Sequence, residues 1–553
     1  MNSGTISTAE TLNIDNFQDA ISKNNFDPHD ERLQLARSQS RRLSNTESLF
    51  KQASRQGIPS MGHNKEMPPP ILHRSNYEVS YDLNDPLHPY NWSFPIKAYI
   101  LFVCLITSFG VAMGSALFAS SQPSLMIEFN ISWTVSALVT SLFVLGFASG
   151  PIVWGPLSEF YGRKIPFVVS NLGFVCFSFG VATAKDIQTI MLCRFFAGFI
   201  GASNIVLVPS IMTDIFRNEN KNKALGVFAM AIFGAPMISP ILGGFTVKND
   251  DLGWRWTGYF IAIVGSFGLV LALFVPETLA DVILIQKAEK LRRATGNWAI
   301  HAPQESIKLS IKEIVKTQIT KPLRMLTDPI LFFISLYNSF VYCLLYMFLT
   351  VIPLIFGETY GWSRGVSELP YISMFIGTFI GGIIVSLLEK RNQRITERNG
   401  GTLVPENHLI SMMIGSFFFA GGMFWLGWSG GFGDDVLWLV PTLALCPVGI
   451  GLIAIFLPCL TYITDCYLFV SASALSANTL LRSSMAAAAP LFSRQMFENL
   501  EIKWACTLLG AIACALIPVP FLFYIYGDYL RSKSKYCISF EAPMHEKENQ
   551  HEV

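Results

Sequence analysis

The sequence predicts an all-α membrane protein of twelve transmembrane helices, arranged in two pseudo-symmetric six-helix bundles. Three observations carry that prediction. Of 553 residues, 51% are hydrophobic and only 14% are charged, with a mean hydropathy of +0.42, whereas a soluble domain carries about 25% charged residues. Twelve apolar windows follow one another, each long enough to cross a hydrocarbon core that needs about 20 residues per helix. A charged stretch divides the windows six and six, the layout of two bundled halves with a cavity between them.

Residues 1–97 lack an apolar core of signal-peptide length and are rich in Ser, Asn, Gln and charge. Such a segment buries too little apolar surface to offset its ordering entropy, so it reads as a disordered tail, with the first span acting as an uncleaved signal anchor. The N-terminal bundle, 98–275, holds windows at 98–118, 133–154, 165–184, 187–213, 221–247 and 256–275. The linker, 276–328, carries Lys287, Lys290, Arg292 and Arg293. The C-terminal bundle, 329–526, holds windows at 329–352, 368–388, 408–428, 436–460, 470–493 and 504–526, and a tail, 527–553, follows.

Basic residues set the expected orientation, because short cytoplasmic loops carry the excess of Lys and Arg. Arg163, Lys164, Arg217, Lys221, Lys223, the linker cluster, Lys390, Arg391, Arg394 and Arg398 all fall in loops on one side, while loops 1–2 and 9–10 have none. Both termini and the linker are therefore expected in the cytoplasm, as the basic Arg531, Lys533 and Lys535 after the last span also suggest. A faint repeat relates the halves: Thr213-Asp214-Ile215-Phe216 closes span 4 ahead of Ala224-Leu225-Gly226. Thr464-Asp465-Cys466-Tyr467 closes span 10 ahead of Ala474-Leu475-Ser476.

Several chemistries are excluded. The ten cysteines are scattered without the paired spacing of a metal or redox site and read as buried free thiols. No catalytic constellation, metal site or cofactor motif is assigned, no basic run interleaved with aromatics offers a nucleic-acid surface, and no P-loop supplies ATP. The chain reads as a carrier rather than an enzyme.

The most specific local signal is Gly155-Pro156-Leu157-Ser158-Glu159-Phe160-Tyr161-Gly162-Arg163-Lys164 between spans 2 and 3. It resembles the signature loop of the major facilitator superfamily, in which glycines permit a tight turn. Glu159 can sit on a helix dipole of the other half, and Arg163 is placed to pair with a carboxylate at a neighbouring helix end, for which Asp214 is the candidate. Arg194 lies within span 4, where a charge is expected to face the bundle interior; its surroundings resemble the superfamily's span-4 motif, whose arginine is tied to proton coupling. Span 5 carries Gly234-Ala235-Pro236-Met237-Ile238-Ser239-Pro240-Ile241-Leu242-Gly243-Gly244, similar to the antiporter motif of exporters, with Ala235 and Ser239 replacing two glycines. Small residues allow close helix approach.

Asp85-Pro86-Leu87-His88-Pro89-Tyr90-Asn91-Trp92, Trp254-Arg255-Trp256, Pro276-Glu277-Thr278 and Leu530-Arg531-Ser532-Lys533-Ser534-Lys535 resemble fungal twelve-span drug:proton antiporters. Met61-Gly62 and Pro68-Pro69-Pro70 resemble the polyamine-exporter subgroup. The resemblance implies the major facilitator fold, a fungal plasma membrane and proton-coupled export of small amphipathic or cationic toxic compounds. The alternatives are polyamine export, proton-coupled nutrient import and a transporter-like receptor. No carboxylate sits in the middle of any span, so the coupling expectation rests on the resemblance and on Arg194.

For the substrate cavity, Tyr337, Asn338, Tyr342 and Tyr346 of span 7 partly share a helix face, joined by Asn478 and Arg482 of span 11. Aromatics with polar tips suit flat amphipathic molecules, and the arginines disfavour a polycation, so neutral or singly charged compounds are preferred over polyamines. Ser44, in Arg41-Arg42-Leu43-Ser44, fits a basophilic kinase. The expected partners are thus a small-molecule substrate, protons, the lipid bilayer and a kinase at Ser44.

Overall fold

The computed structural model describes residues 77–82, 84–306, 320–398 and 404–537. Among them are eleven helical stretches long and apolar enough to cross a membrane. Six precede the linker: Phe94–Phe129, Trp133–Phe160, Lys164–Thr183, Ile187–Ile215, Lys223–Lys248 and Arg255–Ala272. Five follow it: Pro329–Thr359, Tyr371–Arg398, Pro405–Gly430, Leu439–Cys466 and Ser471–Lys533. The last is 63 residues long, which at 1.5 Å per residue is about 95 Å, some three times the hydrocarbon thickness. Glu501 breaks it with φ 60° and ψ 158°. Two passes, spans 11 and 12, result, and the expected six-plus-six arrangement holds.

Local chemistry fixes the helix ends. Span 4 starts where Asp186 accepts the Thr189 N–H at 2.7 Å, and span 7 where Asp328 accepts the Ile330 N–H at 3.1 Å ahead of Pro329. These are N-caps that satisfy otherwise orphaned donors. The short helix after span 1 stops at Asn130, whose left-handed φ of 49° turns the chain. Spans 2, 5, 10 and 11 hold internal prolines, tolerated because neighbouring helices re-satisfy freed carbonyls.

One large cluster fills the C-terminal half and takes in Ala116, Val144, Phe233 and Met237 from the first half. Two clusters fill the first half, one around Phe143 and Phe174, the other around Phe167 and Ile211. Large apolar side chains such as Phe274, Leu387 and Ile525 are exposed, the outward face a bilayer requires.

A second, smaller unit includes the described residues 77–82 and 283–306. In it Glu78 bridges His301, Lys287 Nζ donates to the Ser80 carbonyl at 3.2 Å, and Leu284, Ala288 and Ala302 form a small core. Residues 77–97 were expected to share the tail's lack of order. Their described part is structured, because His301 of the linker bridges Glu78 and because the helix of span 1 begins at Phe94. Ser44 and the Met61-Gly62 and Pro68-Pro69-Pro70 motifs lie outside the described residues.

Packing in the second half is closest where spans 8 and 10 cross, since a Cβ on Gly377 would overlap the backbone carbonyl of Cys446. A backbone atom cannot rotate away, so Gly377→Val is expected to cost at least the ~1–3 kcal/mol of an overpacked core. The measurement is the yield of monodisperse protein on size exclusion, which should fall several-fold.

Candidate functional site: the central cavity and its two ends

A cavity of about 400 Å³ lies between the two halves. Spans 1, 2, 4 and 5 contribute Ser108, Ser115, Phe147, Asn204 and Phe233 to its wall, and spans 7, 10 and 11 contribute Tyr342, Tyr346, Phe456, Thr479 and Arg482. Glu159 and Ala472, both exposed, stand at its rim, so it opens at the end that carries Gly162.

At that end, Gly162 has φ +83°, a conformation that favours glycine, and a Cβ there would overlap the Glu277 carboxylate. That carboxylate accepts the backbone N–H groups of Arg163 at 2.8 Å, Lys164 at 3.1 Å, Thr278 at 2.9 Å and Leu279 at 2.9 Å. It thereby caps the start of span 3 and ties it to the chain leaving span 6. Arg163 Nε donates to Asp214 at 3.1 Å, and its Nη1 donates to Ser158 Oγ at 2.8 Å. Glu159 makes no hydrogen bond or ion pair among the described residues; it does not reach the other half while the cavity is open on its side. Lys164 is half-buried beside it.

The second half repeats this arrangement with different residues. His408 sits between Glu389 and Asp465, each of its ring nitrogens 3.0 Å from a carboxylate oxygen. Asp465 is the repeat counterpart of Asp214, so following that repeat to its partner would have singled out His408. Glu277 was legible only as part of a motif, since nothing in the order of residues shows which N–H groups a carboxylate will meet.

The opposite end is sealed by the span-5 segment 234–244. A Cβ on Gly243 would lie 2.8 Å from the Leu117 carbonyl, and one on Gly244 would lie 2.7 Å from a Glu368 oxygen. Ser120 Oγ is within hydrogen-bond distance of both the Pro240 carbonyl, at 3.0 Å, and Glu368 Oε2, at 2.8 Å. Gly234 faces Phe375, Ser239 Oγ donates to the Ala235 carbonyl, and Pro236 lines the cavity. Glu368, expected to open span 8, lies just before its helix, which starts at Tyr371, yet it is only 4% exposed. Burial pushes its carboxyl up to about 8, against the opposing pull of Ser120, Arg364 and the Gly244 N–H.

Arg194 is 2% exposed and does not line the cavity. Its Nε donates to the Val139 carbonyl at 3.0 Å and its Nη1 to the Gly114 carbonyl at 2.7 Å. The guanidinium lies between the rings of Phe118 and Phe143, 4.6 and 4.3 Å from their centroids, while Nη2 has no partner. Spans 1, 2 and 4 are thus clamped around one charge.

Of the residues proposed for the cavity, Tyr342, Tyr346 and Arg482 line it, and Tyr337, Asn338 and Asn478 do not. Five residues turn a helix by about 140°, which takes Tyr337 off the face of Tyr342. Asn338 and Asn478 are instead paired, Nδ2 to Oδ1 at 3.2 Å, joining spans 7 and 11. Tyr346 Oη donates to Ser115 Oγ at 3.0 Å, linking the halves across the cavity.

The fold and this site define a polytopic helical carrier with a central cavity that is open at one end and sealed at the other. Residues 104–490 match the Major Facilitator Superfamily model, and the chain belongs to that superfamily of membrane transport proteins. It is 52% identical to the Major facilitator superfamily multidrug transporter FLU1 of Candida albicans over 92% of this chain and 84% of the relative. It is 42% identical to the Multidrug transporter TPO1_2 of Candida glabrata over 87% of this chain and 83% of the relative. Among solved structures, the xylose transporter XylE from E. coli in an inward-open conformation aligns with a TM-score of 0.58 at 14% identity. That alignment covers 77% of this chain and 96% of that one, a likeness of fold.

Two predictions follow from the ends. Charge reversal at Arg163 or Asp214 alone should cut transport at least tenfold, and the double swap should recover part of it, the coupling that only a double-mutant cycle reads. At the other end, a water-exposed Glu368 titrates near about 4.3 and the sealed one at about 8, so sealing takes up a proton between those values. The sealed state is then favoured in acid and disfavoured by up to tenfold per unit as pH rises toward 8. Spin labels at positions 127 and 437 should move apart as pH rises from 5 to 8 in the wild type, and Glu368→Gln should flatten that response.

Proposed function

We propose that the protein exports small amphipathic toxic compounds from the cell by proton antiport, as a multidrug transporter of a fungal plasma membrane. The observation that supports this best is the cavity itself: largely apolar, faced by Tyr342, Tyr346 and Phe456, and sealed by the very glycines of the antiporter motif. With the Lys- and Arg-rich loops inside, both termini are cytoplasmic and the open end of the cavity faces the cytoplasm. A compound then enters from within, stacks on the aromatic wall and leaves when the Glu368 end opens.

The Arg163–Asp214 pair, with Gly155, Glu159, Gly162 and Lys164 around it, forms the gate at the inner end. Proton coupling is assigned to the region of Arg194, whose fixed charge with an unpartnered Nη2 biases nearby protonation. The identity to transporters named for multidrug activity favours export over nutrient import. A kinase at Ser44 would act by adding about −2 charges to a basic tail near the anionic leaflet.

Retention of radiolabelled compounds by cells with and without the protein tests the reading. An exporter lowers accumulation, an importer raises it and a receptor changes neither; a protonophore should abolish the difference. In everted vesicles with an imposed pH gradient, Arg194→Ala should lose transport by at least tenfold. Arg194→Lys should keep a fraction of it, since the charge stays while the two-carbonyl geometry goes. Normal transport by the alanine variant would make Arg194 a structural clamp only.

A further inference from the structure

Three arginines stand in or beside the cavity, and their surroundings differ in one respect. Arg163 is answered by the Asp214 carboxylate at 3.1 Å. Arg194, behind the wall, is answered by two backbone carbonyls. Arg482 is 5% exposed and lines the cavity, yet among the described residues it has no hydrogen bond and no ion pair, and its Nε is fully buried without a partner. Its guanidinium lies against the faces of Tyr342 and Phe456, 4.7 and 4.9 Å from their centroids. Ring faces return only part of the hydration a buried cation gives up. The single carboxylate in the cavity wall, Glu159, stands exposed at the rim, at the far end of span 2 from this depth.

A guanidinium held deep in a wall, with donors unspent and flat aromatic rings on its faces, is a site short of one component. We propose that Arg482 is the anion-binding point of the cavity and that the compounds it selects are flat, apolar molecules bearing one carboxylate. The carboxylate takes the planar N–H donors of the guanidinium, and the apolar body packs against Phe233, Phe456 and Tyr342. Thr479, one turn earlier on span 11, and the Tyr346–Ser115 hydroxyl pair supply neutral polar contacts beside it. A polycation meets an unanswered positive charge at this point and is excluded. The proposal rests on the export reading for its direction but not for its chemistry. With one proton entering per anion leaving, each cycle carries two net positive charges inward, so an inside-negative potential drives expulsion of the anion.

Binding and transport are tested separately. Naphthylacetate, its methyl ester and naphthylethylamine share one ring system and differ in charge. On purified wild-type protein, calorimetry should rank the carboxylate above the ester by roughly tenfold or more, the range of a charge-assisted hydrogen bond, with the amine weakest. In Arg482→Gln the carboxylate-to-ester ratio should fall to about one, and in Arg482→Lys it should lie between the two. Wild-type protein that binds the amine or the ester more tightly than the carboxylate overturns the proposal whatever the variants do. So does a ratio that survives in Arg482→Gln. In cells, export of the ester without the carboxylate overturns it while leaving the export reading intact. Tight carboxylate binding with no change in retention of any probe upholds the site and removes the export reading instead.

Discussion

A charge carried into hydrocarbon must be met by another group, because the bilayer returns none of the hydration that the charge has lost. This constraint organises the molecule more than any single contact does. Arg163 is met by Asp214, Arg194 by the carbonyls of Gly114 and Val139, and His408 by Glu389 and Asp465. Each pairing joins different helices, so the helices that bear charges are tied to their neighbours. Glu368 is met by a hydroxyl and a backbone N–H, with Arg364 acting on it from beyond ion-pair distance. Arg482 is met by ring faces alone. The two groups least answered sit at the sealed end and in the cavity, the places where a carrier changes state or takes its cargo.

The two ends of the cavity are built by different physics. At the Gly162 end the parts are charged and hydrogen-bonded, and the cavity is open there. At the Glu368 end the seal is made by close backbone approach: Gly243 against Leu117 and Gly244 against Glu368 and Gly365. Sealing by glycine contact tolerates no added side chain but holds no strong bond either, which lets the same surface separate. Ala235 and Ser239, which stand where the antiporter motif has glycine, are both fully buried, so the packing role of small residues persists without glycine torsions.

The halves are related but not equivalent. Asp214 and Asp465 occupy matching places, yet one faces an arginine from the loop between spans 2 and 3 and the other a histidine at the start of span 9. The Asn204–Asn171 contact in the first half and the Asn338–Asn478 contact in the second likewise join helices by amide pairs. The wide cluster of the C-terminal half takes in Phe233 and Met237 of span 5, so the two halves share one apolar contact surface.

The order of residues was sufficient for the membrane class and for the all-helical fold of twelve spans. Hydropathy and loop charge act locally, and a run of about 20 apolar residues can satisfy its backbone only as a spanning helix. Helix starts were legible to within a few residues, whereas several helices run six to ten residues past the expected apolar windows, span 8 continuing to Arg398. Only the tertiary structure decided which polar groups meet. It turned Tyr337 off the cavity face, paired Asn338 with Asn478, gave Glu277 its four N–H partners and set Glu368 into the seal. It also left Arg482 facing the cavity with no polar partner. A residue's partner across a bundle depends on helix rotation and register, quantities that hydropathy does not encode and that packing alone sets.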